Sequence, residues 1–213
     1  MERLKLGVLA SGRGSNFAAI LRAIEEGRLT AEVKILISNR EGAGALDVAR
    51  QHNIFAHWLS PKDYHSPEAY DAAIAQLFDQ YEVNFVVLAG YLRYITPKFI
   101  EKYRNRILNI HPALLPSFGG KGMYGIHVHE AVLEYGCKVS GVTVHIVDEK
   151  YDAGPIVLQR CVPVLDDDTP ETLAHRVLEQ EHQIYAEAIQ LFAEGRIRLE
   201  GRRVRIVPRS AGD

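Results

Sequence analysis

Short, continuously apolar runs separated by amphipathic stretches recur through the first half of this chain, and that alternation limits the folds open to it. Residues 4–10, 33–38, 55–59 and 84–89 read as strands buried on both faces. Between them, residues 16–26, 44–52 and 67–81 carry apolar side chains at helical spacing. Phe17, Ile20, Leu21 and Ile24 make one such face, Gly27 ends that helix, and Pro67 sits at the first turn of the third. A strand apolar on both faces needs cover on both, and helical crossovers between parallel strands supply it.

The second half changes texture. Residues 97–102 start a helix, residues 107–110 form a short strand, and residues 127–135 read as helical. Residues 138–147 and 155–164 are long and β-branched, with a connection of only seven residues, 148–154, between them. That is too short for a parallel crossover, so the two are expected to pair antiparallel. Thr169 as N-cap, Pro170 at the first position and Glu171 in the first turn open a long helix running to Phe192. Residues 197–199 and 204–207 give a weak hairpin signal in a tail rich in arginine. The expected fold is α/β: an open, mostly parallel sheet with a Rossmann-like nucleotide-binding N-terminal half and antiparallel strands added in the C-terminal half. Nothing marks a linker, so residues 1–213 are expected to form one domain.

Composition narrows the ligand. The 25 Lys and Arg against 27 Asp and Glu leave a formal net charge of −2, which offers no basic field to a nucleic-acid backbone and no polybasic patch to a membrane. Cys137 and Cys161 match neither a zinc spacing nor a disulfide framework. They are expected to be packing thiols in a reducing cytoplasm. The first apolar run is too short for a signal peptide, and no stretch reaches transmembrane length. The expected partners are small molecules, with no nucleic acid, no membrane and no metal, and the chain a monomer or homodimer.

Ser11-Gly12-Arg13-Gly14-Ser15-Asn16 lies between a strand and a helix N-terminus, where an open α/β sheet binds phosphate. It is not the dinucleotide fingerprint. Phe17 stands at the third glycine position, and Ser38-Asn39-Arg40 closes the second strand with no acid for a ribose diol. No Gly-Lys-Ser/Thr follows, which excludes a P-loop. One phosphate is the natural ligand; the plainer alternative is a tight turn with Ser15 or Asn16 as helix cap.

Asn109 and His111 alternate at the end of a strand and so face the same side. An amide and an imidazole placed together suit the polarisation of a carbonyl and the movement of a proton. A capped turn stiffened by Pro112 explains the same residues structurally. An acid to orient His111 is expected from the 148–154 connection, where spacing leaves Asp148, Glu149 and Asp152 open. Such an acid would raise the imidazole pKa. His127 and His129, two apart at a helix start, face different ways and do not read as a metal pair.

Several motifs follow in order: Ser11-Gly12-x-Gly14-Ser15-Asn16, Leu88-Ala89-Gly90-Tyr91-Leu92-Arg93, Asn109-Ile110-His111-Pro112-Ala113-Leu114-Leu115-Pro116, Gly141-x-Thr143-x-His145, Asp152-x-Gly154-Pro155 and Gln180-Glu181-His182-x-Ile184-Tyr185. Together they closely resemble the phosphoribosylglycinamide formyltransferase family, folate-dependent enzymes of purine synthesis, over residues 4–200. The glycine loop alone is weak support, whereas the Asn-Ile-His-Pro run with the downstream Asp-x-Gly-Pro is specific. The resemblance implies transfer of the formyl group of 10-formyltetrahydrofolate, as co-substrate, to the amine of 5'-phosphoribosylglycinamide. It implies Asn109, His111 and Asp152 as the catalytic trio, thereby choosing Asp152 among the three acids. It places Gly14, Ser15, Asn16 and Glu181 on the ribonucleotide. Leu92, Arg93, Tyr94, Ile95 and Asn109, with Asp148, Glu149, Lys150, Tyr151 and Asp152, would line the folate pocket, and His145 would be a neighbour of the site. Two departures stand out: Pro67 occupies the place of an arginine that lies by the folate tail in some members, and residues 119–125 form a longer glycine-rich loop, expected to be a flexible insertion.

Other functions share parts of this pattern. A formyltetrahydrofolate hydrolase uses the same Asn-x-His and Asp core, but with an extra N-terminal domain, and gives the formyl group to water. The formyltransferase acting on initiator transfer RNA carries an added C-terminal domain. A non-catalytic nucleotide-binding module would need only the glycine loop. The arginines of the tail, Arg196, Arg198, Arg202, Arg203, Arg205 and Arg209, read as a solvated hairpin.

Overall fold

The computed structural model describes residues 3–209, so residues 1–2 and 210–213 of the expected domain lie outside it. Nine strands are described: β1 (Leu4–Ala10), β2 (Ala31–Ser38), β3 (Phe55–Trp58), β4 (Phe85–Leu88), β5 (Ile107–His111), β6 (Val139–Ile146), β7 (Ile156–Pro163), β8 (Ile197–Glu200) and β9 (Arg203–Ile206). The α-helices are α1 (Ser15–Glu25), α2 (Gly44–Gln51), α3 (Pro67–Gln80), α4 (Pro97–Lys102), α5 (Ile126–Glu134) and α6 (Pro170–Ala193). A 3-10 turn at Pro61–Asp63, too short to leave a periodic signal, was not expected.

A seven-stranded sheet runs β3-β2-β1-β4-β5-β6-β7. The pairs from β3 to β5 are parallel. β6 turns back against β5, and β7 against β6. This is the mixed sheet that the two textures of the sequence imply. β2 starts two residues before the expected position because Ala31, fully buried, pairs with Leu4. β5 runs one residue further than expected and includes His111, opposite Thr143.

Strand alternation divides the apolar residues into two layers. On one face Leu6, Val8, Leu36, Val87 and Leu108 pack with α1, α2, α5 and α6. On the other Leu9, Ile35, Ile37, Val86 and Ile107 pack with Tyr70, Ile74 and Phe78 of α3 and Phe99 of α4. Gly7 fits only as glycine on this second side, where a Cβ would approach Phe78 to 2.7 Å. α6 opens as its sequence dictates: Thr169 accepts from the Thr172 amide, Thr172 returns the bond, and Pro170 follows the cap.

β8 and β9 form a separate antiparallel hairpin. Arg205 of the hairpin pairs with Glu200, and Arg196 and Arg209, which flank it, pair with Glu194. Cys137 is half-buried against the core, but Cys161 is exposed on edge strand β7, so it is not the packing thiol expected. No described helix is long and apolar enough to cross a membrane.

Candidate active site

The strand order reverses between β1 and β4, and the loops after these strands part there, as ligand-binding crevices of open α/β sheets do. A cavity of about 1020 Å³ occupies that place. It is bounded by the glycine loop, the ends of β4 and β5, residues 120–126, the 148–152 connection and one side of α6.

Ser11, 1% exposed, binds the loops together. Its hydroxyl donates to Asn39 Oδ1 at 2.6 Å and accepts from the Leu92 amide at 2.9 Å, while its own amide donates to Gly90 O. The serine–asparagine pair that replaces a ribose-binding acid therefore fixes the crevice walls. α1 begins at Ser15 after Gly14, with no side-chain cap, so neither Ser15 nor Asn16 takes the capping role offered as the plainer alternative. Its first-turn amides stay available to an anion. Ser15 and Asn16 line the cavity. Asn16 Nδ2 donates to Glu181 Oε2 at 2.6 Å, and burial pushes the Glu181 carboxyl up against the lowering effect of that bond.

Gly14 is also demanded by the fold: its φ of 85° is left-handed, and a Cβ would lie 2.7 Å from the Ala45 Cα of α2. Glycine is required here for the turn and the close approach of α2. Gly14→Val is accordingly expected to destabilise the protein and weaken both ligands together. Thermal unfolding beside calorimetry on each ligand checks this; a folded variant deficient in ribonucleotide binding alone would show that glycine is needed for room around the phosphate instead.

Asn109 and His111 both face the cavity from β5. His145, opposite Asn109 on β6, directs Nδ1 at Ile146 O at 3.1 Å. A carbonyl only accepts, so the proton sits on Nδ1 and Nε2 accepts from Asn109 Nδ2 at 3.1 Å. That bond turns the amide so that its second N–H is free. His111 donates from Nε2 to Phe118 O at 2.8 Å, leaving Nδ1 toward Asp152 Oδ2 at 3.7 Å. The other Asp152 oxygen lies 3.6 Å from His145 Nε2. One carboxylate thus stands beside both imidazoles.

The backbone places that carboxylate with effort. Asp152 has φ 49°, an αL conformation uncommon outside glycine but tolerated by Asp. Burial pushes its pKa up, but His145 when its Nε2 is protonated, the Gly120 amide at 2.9 Å and the charge of His111 together hold it below the usual carboxylate range. His111 behaves otherwise than the sequence suggests. Burial is the larger influence and lowers its pKa, the attraction of Asp152 opposing without prevailing. The free protein therefore holds His111 neutral more readily than an exposed imidazole would be.

The 119–125 loop is not a bare insertion. Gly120 donates to Asp152, Phe118 accepts from His111, and a Cβ on Gly119 would meet Leu115 at 2.5 Å and Asp152 Cβ at 3.2 Å. Lys121 lines the cavity.

Leu92, Arg93, Tyr94 and Ile95 line the same cavity, with Asp148, Lys150, Tyr151 and Asp152. Arg93 lies over the Tyr70 ring at 5.2 Å, and buried Asp71 accepts from the Thr96 amide at 2.7 Å, fixing that loop from behind. Glu149 is the exception: it turns outward to Arg104 at 2.9 Å and does not line the cavity. Asp148 accepts from the Lys150 amide, a local turn. Of the three acids that spacing left open, Asp152 alone approaches His111.

Sequence reasoning missed His129. The spacing of two groups it with His127, which pairs with Glu130 on the surface, while His129 is buried and lines the cavity. The helical period would have separated them: Val128, His129 and Val132 form the buried side of α5.

The formyl transferase family model matches residues 4–189. A chloroplastic phosphoribosylglycinamide formyltransferase of Vigna unguiculata is 45% identical over 198 residues, covering 92% of this chain and 63% of that protein. The chain thus spans less than two thirds of that plant relative. The phosphoribosylglycinamide formyltransferase of Escherichia coli strain K12 is 39% identical over 196 residues, covering 92% of this chain and 90% of that protein. The crystal structure of glycinamide ribonucleotide transformylase 1 from Symbiobacterium toebii superposes with a TM-score of 0.92 at 47% identity, covering 97% of this chain and 95% of that one.

Proposed function

The chain belongs to the formyl transferase family, and from that premise we propose that it transfers the formyl group of 10-formyltetrahydrofolate to the amine of 5'-phosphoribosylglycinamide, a step of purine biosynthesis, as one domain working in the cytoplasm. The carrying observation is that a single cavity joins the glycine loop and Glu181 to the Asn109–His111–Asp152 cluster. A phosphorylated acceptor accounts for the first part and acyl transfer for the second. Formyltetrahydrofolate hydrolysis leaves the glycine loop unused, and a nucleotide sensor leaves the cluster unused.

The phosphate lies on the first-turn amides of α1, the ribose reaches toward Glu181, and the amine comes to His111. The folate lies along the 92–95 and 148–152 segments, where Tyr94 and Tyr151 pack together. The amine nitrogen bonds to the formyl carbon, and the carbonyl oxygen becomes an oxyanion. The free N–H of Asn109 donates to it. Negative charge appearing there favours the imidazolium of His111, whose pKa is depressed beforehand. His111 therefore takes the proton leaving the amine as the intermediate forms, with Asp152 steadying the cation. That proton passes to folate N10, the carbon–N10 bond breaks, and formylated product and tetrahydrofolate leave with no net proton change. Alignment of two bound substrates makes the step effectively unimolecular.

Absorbance of the folate product, recorded with and without phosphoribosylglycinamide, tests this reading. Product formation is expected only with the acceptor. Equal formation without it would establish a hydrolase, and none in either case would leave a binding module.

A further inference from the structure

His129 is a buried imidazole for which this reaction has so far no use. It is 4% exposed, on α5, in the cavity wall beside residues 120–126. It makes no hydrogen bond to any described residue, and its Nδ1 is cut off from solvent without a partner. Such a buried nitrogen is unfavourable, and an apolar side chain of similar size would suit the packing of α5 on α6 at least as well. Burial, followed by the nearby charge of His111, holds its pKa down at about 4, so the ring is neutral near pH 7. A neutral imidazole offers one donor and one acceptor. Neither is engaged here, so the tautomer is free to follow a ligand.

The layer to which α5 belongs indicates which ligand. Val132 of α5 shares one core cluster with Phe17 of α1 and with Leu173 and Val177 of α6. The same layer carries the glycine loop and Glu181, the ribonucleotide side of the proposed reaction. Tyr91 and Ile95, by contrast, belong to the other layer, and Val147, just before the 148–152 connection, packs against it.

We propose that His129 hydrogen-bonds the glycinamide segment of the bound ribonucleotide, the neutral amide and amine between ribose and formyl carbon, and orients the amine for attack. This rests on the functional reading above. Phosphate at the glycine loop and amine at His111 leave that segment alongside α5. His129 is then a substrate-contacting group that carries no proton charge, beside His111, which does.

The test compares His129→Leu, which removes the ring nitrogens at similar volume, with His129→Gln, whose amide reaches the place of Nε2. His129→Leu is expected to unfold at a temperature no lower than the parent, to bind phosphoribosylglycinamide about tenfold more weakly, the effect of one lost hydrogen bond, and to bind tetrahydrofolate unchanged. His129→Gln is expected to recover most of the loss. In the unaltered protein, phosphoribosylglycinamide is expected to move the ring ¹⁵N resonances of His129, a response that a merely structural histidine would lack. Unchanged ribonucleotide binding in the leucine variant, equal losses for both ligands, or unmoved resonances would each overturn the assignment. If the unaltered protein itself fails to bind phosphoribosylglycinamide, the functional reading fails and takes the assignment with it.

Discussion

Asp152→Asn is expected to give a folded protein that binds phosphoribosylglycinamide normally and turns over about 10²-fold more slowly, or worse. Asparagine tolerates the αL backbone at φ 49° as well as aspartate does, and its amide oxygen can still accept from Gly120. What disappears is the negative charge beside two imidazoles. His111 already has a lowered pKa because burial outweighs Asp152. Removing the opposing influence lowers it further, so the imidazolium that forms as the oxyanion develops is harder to reach. The sign is definite: the His111 titration moves to lower pH in the variant, and the pH dependence of the residual rate moves with it. NMR titration of His111 in both proteins, beside their pH–rate profiles, measures this. A histidine titration and a rate that both stay in place would remove Asp152 from the mechanism.

A carboxylate expected near an imidazole suggests, on sequence, a raised imidazole pKa. The structure reverses the net direction, because His111 is 3% exposed and its Nδ1 is 3.7 Å from the carboxylate, beyond hydrogen-bonding range. Burial depends on what packs around a residue from elsewhere in the chain, and the glycines of the 119–125 loop read only as flexibility. Local pattern does not reveal that Gly120 donates to Asp152 or that Phe118 accepts from His111.

Other parts were legible for physical reasons. Apolar runs between helical periods require a parallel sheet, and a seven-residue connection requires β6 and β7 to be antiparallel. Alternation at the end of β5 sets Asn109 and His111 on one side whatever surrounds them. Choosing Asp152 over Asp148 and Glu149 needed more than spacing, since all three are acids on one connection; only the fold shows Glu149 turned to Arg104 and Asp148 closing a turn. His129 escaped notice because a histidine's chemistry lies in its surroundings, and the residues that bury it are distant in sequence.

The connection that carries Asp152 is itself held by one glycine, and Gly154→Ala is expected to have the second large effect. The Cβ of any residue at 154 would collide with the Ile146 carbonyl of β6, while the Ile146 carbonyl carbon lies 2.9 Å and the Asp148 amide 3.3 Å from the same point. All three are backbone atoms, so no side-chain rotation relieves the contact. The chain must open between β6 and β7, where Ile146 donates to Pro155 O at 2.9 Å and the register already shifts at Val144 and His145. A forced shift of this kind costs on the order of 3 kcal/mol, seen as a lower unfolding temperature. Its functional effect is larger than its effect on stability, because Asp152, two residues earlier, leaves His111 and His145. Turnover is expected to fall as far as in Asp152→Asn, and the His111 titration to move down in the same direction. Unlike Asp152→Asn, the variant also loses folate binding, since Lys150 and Tyr151 line the cavity from the displaced connection. Calorimetry with tetrahydrofolate, thermal unfolding and turnover in the two variants separate a lost charge from a displaced loop; unchanged folate binding in Gly154→Ala would show that the connection absorbs the added carbon without moving.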